Sequence, residues 1–254
     1  MKCAGTAVLF VLIAGSQSAW AQSPPPKEPP PLWDLQLGSS FVGTSGNSDT
    51  TTLGFDFGAH RRWPGWKIEA TAAAVRTTDS GIRTAERYLA AFRGDRKLST
   101  RVDLSAGERA EQDRLAGIDL RSITDVGLKY ALVRRSALTV DALTSLAFNH
   151  ENQILGPDLD HAAAVLQAVG KIVFGPASDS SQRITFYPDL EHGAAYRAEA
   201  EVTAQAAMNR RLALKVGYLW RYSNAPAFGF VKSDNTVTAS IVLQFKAARP
   251  APPP

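Results

Sequence analysis

Enzymatic chemistry needs a nucleophile, a base or a metal ligand, and this chain offers few. Its one cysteine, Cys3, lies near the start of the sequence, and its four histidines are His60, His150, His161 and His192. Acyl transfer by serine and histidine requires the imidazole to reach the hydroxyl and take its proton. A serine two positions after a histidine would sit on the same face of a strand, but those positions hold Arg62, Asn152, Ala163 and Ala194. His150, Glu151 and His161 flank one connection and could assemble a triad in space. His150, Glu151, Asp158, Asp160 and His161 could likewise converge on a divalent cation. Their spacing follows no metal-site rule, and histidines and carboxylates on loops are more often simply solvated. Gly54, Gly58, Gly107, Gly127 and Gly217 form no phosphate-cradling run; they alternate within extended segments, which suits close packing or curvature. The expectation is therefore no catalytic residue, no metal and no cofactor.

Single charges of both signs are abundant instead. Lys67, Glu69, Arg87, Arg93, Arg101, Asp103, Arg121, Asp125, Lys129, Asp141, Arg197, Glu199, Glu201, Lys215 and Arg221 stand between small apolar residues, so that they share one face of successive strands. There is no basic block: 28 Lys and Arg stand against 24 Asp and Glu, giving +4 and a pI near 9.3. A nucleic-acid partner is not expected. Inside a narrow closed barrel such charges must pair, because an unpaired buried charge is very unfavourable. Interleaved signs predict a salt-bridged lumen with little free passage, at most weakly favouring small anions or solutes.

The elements that would carry these charges repeat at period two. Trp33, Leu35, Leu37 and Phe41 oppose Asp34, Gln36, Gly38 and Ser40, and the pattern returns at 52–60, 66–74, 101–107, 138–149, 196–205, 211–222 and 236–245. Weaker segments at about 83–94, 119–131, 159–174 and 182–190 bring the total to about twelve strands. From Trp33 to Phe245 the spacing is (245 − 33)/12, about eighteen residues per strand and connection. Soluble sandwiches usually repeat every 8–12 residues, whereas membrane barrels need segments of about ten plus connections. One series of connections is short (61–65, 94–99, 132–136, 209–210). The other is longer (111–118, 150–158, 224–232), apart from a tight first loop near 43–50. The apolar face is thin, with aromatics near strand ends at Trp33, Trp66, Tyr196, Trp220 and Tyr222, as interfacial girdles require. Hydrocarbon forbids unpaired backbone groups, so such a sheet must close.

The first residues bound the compartment. Lys2, the apolar run Ala4 to Gly15 and Ala19-Trp20-Ala21 form the pattern of a secretory signal cleaved after Ala21. The expected organisation is a signal peptide at 1–21, a proline-rich spacer at 22–31, a barrel at 32–245 and a proline-rich periplasmic tail at 246–254.

Three stretches carry a family resemblance: Gly43-Thr44-Ser45-Gly46-Asn47-Ser48-Asp49-Thr50-Thr51, Thr84-Ala85-Glu86-Arg87-Tyr88, and Lys232-Ser233-Asp234-Asn235-Thr236 entering a final strand that ends at Phe245. With this layout the chain resembles the DUF481 or YdiY-like family of outer-membrane proteins, some described as salt-induced. The resemblance implies a barrel fold, an outer-membrane location and no assigned substrate or catalytic set. Those barrels usually finish at the terminal aromatic, whereas Lys246 to Pro254 follow Phe245 here.

The expected fold is thus all-β: a closed antiparallel transmembrane β-barrel of about twelve strands, solvated by outer-membrane lipid and assembled by the barrel-assembly machinery through its C-terminal strand. The expected role is non-enzymatic, in envelope structure, stress or a narrow channel. A barrel hydrolase and a secreted soluble β-barrel binding a small apolar ligand are the alternatives.

Overall fold

Alternating apolar and polar side chains build one strand after another, and the strands pair in the order they occur. The computed structural model describes residues 33–43 and 50–247. Its strands are β1 (Trp33–Gly43), β2 (Thr50–Trp63), β3 (Trp66–Asp79), β4 (Ile82–Lys97), β5 (Val102–Asp113), β6 (Ile118–Arg134), β7 (Leu138–Gln153), β8 (Leu159–Gly175), β9 (Ser178–Pro188), β10 (Tyr196–Ala207), β11 (Leu212–Ser223) and β12 (Ser233–Ala247). A 3-10 turn, Arg114–Ala116, follows β5. Every strand pairs antiparallel with its chain neighbours, and β1 pairs with β12 to close the barrel. The expected signal peptide and spacer lie outside the described residues, as do most of the Gly43 to Thr51 stretch and residues 248–254 of the expected tail; its first two residues, Lys246 and Ala247, belong to β12.

Several boundaries differ from the sequence reading, most of them by extending the strand. β5 runs to Asp113 instead of ending near Gly107, β4 runs to Lys97, and β12 continues past Phe245 to Ala247. Arg61, Arg62 and Arg134, read as turn residues, end strands β2 and β6. Charged strand ends resemble loops in composition, but the ladder hydrogen bonds of a closed barrel carry them on.

The two rims are unequal. Residues 64–65, 98–101, 135–137, 176–177 and 208–211 join strands at the end where β1 begins and β12 finishes. The opposite rim carries 80–81, 114–117, 154–158, 189–195 and 224–232. At its tightest point, Ser80 and Gly81 both adopt positive φ, as a two-residue hairpin demands.

The outward face is apolar: Phe55, Phe92, Val126, Leu146, Phe148, Val216, Val237 and Ile241 are all exposed, Leu146 to 70%. This inverts a soluble barrel, whose large apolar residues point inward. Aromatic rings mark both edges of the apolar band. At the short-turn rim the Arg61 guanidinium lies over the Trp33 and Trp63 rings, and Arg96 over Trp66. At the long-loop rim Phe186, Tyr196, Tyr222 and Trp220 contact one another in sequence. A closed sheet with an apolar exterior and aromatic girdles is a transmembrane β-barrel of outer-membrane type. Outward-facing Glu108 departs from the apolar pattern: it is paired across the sheet with Phe92 and Thr124, and accepts hydrogen bonds from Ser122 Oγ (2.6 Å) and Thr124 Oγ1.

Candidate functional site

The inward face holds the charges, and they are arranged in two ways. In the half toward the short turns, long side chains lie along the wall. The Arg93 guanidinium on β4 crosses β5 to reach Asp125 on β6, at 2.6 and 3.0 Å. It passes over Gly107, where an added Cβ would stand 2.6 Å from the guanidinium. Beside it Lys129 reaches Asp95 at 2.8 Å, and the intervening Ser105 donates to the same carboxylate at 2.7 Å. Asp56 lies against the wall in the same way, its carboxylate filling the space a Cβ on Gly38 would need. Glycine and serine here are seats for their neighbours' side chains.

Toward the long-loop rim the side chains span the lumen. Arg109 on β5 donates to both carboxylate oxygens of Glu199 on β10, at 3.0 and 3.1 Å, and to the Tyr187 hydroxyl on β9. Arg221 on β11 donates to Asp113 at 2.6 Å and to Glu111 at 3.1 Å, both on β5. β5 and β11 are six strands apart either way around a twelve-stranded ring, so these bonds join opposite walls. Glu111 lies at the centre, almost fully buried, with Arg87, Arg109 and Arg221 all on its carboxylate. The result is a belt of alternating charge across the lumen.

Fourteen of the fifteen charges expected in the lumen sit on strands. Lys67 pairs with Asp103 at 2.6 Å, Glu69 faces His60, Arg121 holds Glu151, Glu201 faces Arg183 and Lys215 faces Asp56. Asp141 pairs with Arg134 at the short-turn rim. Arg101 is the correction: it lies exposed in the 98–101 turn, because β5 begins only at Val102. The sequence reading left out Asp95 of the wall half and Arg109, Glu111, Asp113, Glu151 and Asp234 of the belt half. Asp95, Glu111, Asp113 and Glu151 stand at strand ends read as loops.

The possible triad and metal cluster are divided. His150 is exposed and pairs with Asp160, while Glu151 is buried and held by Arg121. His161 instead faces Asp189 in the β9–β10 loop, as does His192. Burial pushes the Asp189 carboxyl up, but the backbone N–H groups of His192 and Glu191 and the neighbouring His161 outweigh this and lower it.

Above the belt is a cavity of about 360 Å³ opening toward the long loops. Its floor includes Arg121, Glu151, Arg197, Glu199 and Arg221, and its sides include Ile118, Leu159, Ala227 and Val231. Two connections from opposite walls meet beside it. Gly117, with φ of 79°, packs so closely that a Cβ would stand 2.6 Å from Phe230 and 2.8 Å from Ala227 of the β11–β12 loop.

No curated protein matches the chain in sequence. Among solved structures it is similar to the COG4313 outer membrane channel from Pseudomonas putida F1, at 12% identity and a TM-score of 0.49, over 89% of this chain and 100% of that one. It is also similar to the NanC porin, at 13% identity and 0.44, over 85% and 100%. A third is the translocator domain of the autotransporter NalP from Neisseria meningitidis, at 13% and 0.43, over 87% and 90%. A family model for a protein of unknown function, DUF481, matches residues 37–245, nearly the whole barrel, and the chain belongs to that family.

Proposed function

We propose that the protein is a non-enzymatic, narrow passage in the bacterial outer membrane, held almost shut by the charged belt. The long loops face outward and the short turns face the periplasm, following the habit of such barrels. Outer-membrane lipid is its solvent, and β12 is the strand through which barrel-assembly machinery would engage it. The observation that carries this reading is the direct bonding of β5 to β10 and β11 across the lumen. Opposite walls joined by side chains leave small ions or solutes only the gaps between those side chains, and motion of side chains is enough to change them. No strand has to move.

Planar-bilayer recording tests the proposal. The wild-type protein is expected to give infrequent steps of low conductance. Replacing Arg109, Glu111 and Arg221 together with alanine removes charges of both signs and is expected to raise single-channel conductance several-fold. If wild type and triple variant are both silent, the second reading takes over: the same cross-braces serve a structural or stress-related role in the envelope, stiffening a barrel that conducts nothing.

A further inference from the structure

Among the belt's cations, Arg197 alone lacks a carboxylate partner. Its guanidinium donates to Asn149 Oδ1 at 3.2 Å and lies 4.9 Å from the centre of the Tyr187 ring. The two nearby carboxylates are committed elsewhere. Both oxygens of Glu199 go to Arg109, and those of Glu151 go to Arg121 and to Gln153. Asn149 is fully buried and its amide nitrogen has no partner. A half-buried cation hydrogen-bonded only by a neutral group is left for an anion to complete, and Arg197 lines the cavity at the outer mouth.

We propose that this cavity binds a small monocarboxylate with an apolar body, the carboxylate on Arg197 and the body against Ile118, Leu159, Ala227 and Val231. The inference deepens the passage reading by naming the class of solute that rests on the belt. A guanidinium offers two parallel N–H donors that match a planar carboxylate. One uncommitted cation matches one negative charge, whereas a phosphate dianion would call for more. A cavity of about 360 Å³ lies at the small end of ligand sites, and its apolar sides favour a hydrocarbon body over a sugar.

The test is calorimetric titration of the detergent-purified barrel with benzoate and with benzyl alcohol, which has a similar body and no charge. Wild type is expected to bind benzoate at least tenfold more tightly than benzyl alcohol. Arg197→Gln should abolish that preference and Arg197→Lys should reduce it, while Arg183→Gln, midway along β9 and outside the cavity lining, should leave it intact. Heat-modified gel mobility verifies that each variant is folded. If Arg197→Gln fails to fold, Arg197→Lys decides: a full wild-type preference in that variant overturns the proposal. It is equally overturned by a folded wild type that does not distinguish the two probes, or by Arg197→Gln retaining the preference. Conductance is scored separately, so a barrel that conducts without binding benzoate refutes this site and spares the passage.

Discussion

The two halves of the lumen use the same residue types to opposite ends. Toward the short turns, Arg93 and Lys129 each bridge two strands away and lie flat, because Gly107 and Ser105 between them and their partners are small. Toward the long loops, Arg109 and Arg221 reach five and six strands away and stand across the passage. The backbone ring is the same in both halves. How far side chains obstruct the lumen is therefore decided by which residue sits on the intervening strand, small enough to fold an arginine against or not, and not by strand number alone.

The largest expected effect breaks the belt half. Glu111→Gln leaves Arg87, Arg109 and Arg221 without their shared counter-charge, and should cost about 3–5 kcal/mol. Urea-induced unfolding from lipid vesicles would measure it. Next is Gly107→Val in the wall half. The added side chain occupies the place of the Arg93 guanidinium and drives it off the wall, at about 1–3 kcal/mol by the same assay. It should also lower conductance in the belt-free background, by pushing Arg93 into the lumen. A smaller effect of opposite sign is expected on the lipid face, where Glu108→Leu should stabilise the barrel by about 1–2 kcal/mol, since a carboxylate in hydrocarbon is unfavourable. A loss of stability instead would mean that the bonds from Ser122 and Thr124 outweigh that penalty.

The last and mildest prediction concerns pH at the mouth. Asp189 is held below the usual carboxylate range, so its stabilisation of the β9–β10 loop is complete above that range. It is lost as pH falls through the depressed value. Amide exchange at Glu191 and His192, whose N–H groups bond Asp189, should stay slow through mild acid and quicken only in strong acid. Asp189→Asn should remove that acid-dependent change.

Period-two alternation made all twelve strands legible, including the weak ones, because lipid outside and polar lumen inside impose one rule on every strand. Parity also carried the missed residues. Asp103, Ser105, Gly107, Arg109, Glu111 and Asp113 are consecutive odd positions of β5 on one face, and the same continuation reaches Glu151 on β7 and Asp95 on β4. The run was broken too early because consecutive charges resemble a loop. What no periodicity could supply is partner choice. Arg109 and Glu199 are ninety residues apart and meet only because the ring closes, and the division of His150 from Glu151 follows from parity once β7 is known to reach Gln153.

The pairing of β1 with β12 also fixes the order of events in making the molecule. Leu35 lies opposite Phe245, and Trp33 opposite Ala247, so β1, made before the other eleven barrel strands, waits for β12. Any chain stopped short presents two raw edges, and hydrocarbon cannot hydrogen-bond either of them. Insertion is therefore an event of the whole chain: a transcript interrupted in β12 yields not a weaker barrel but none.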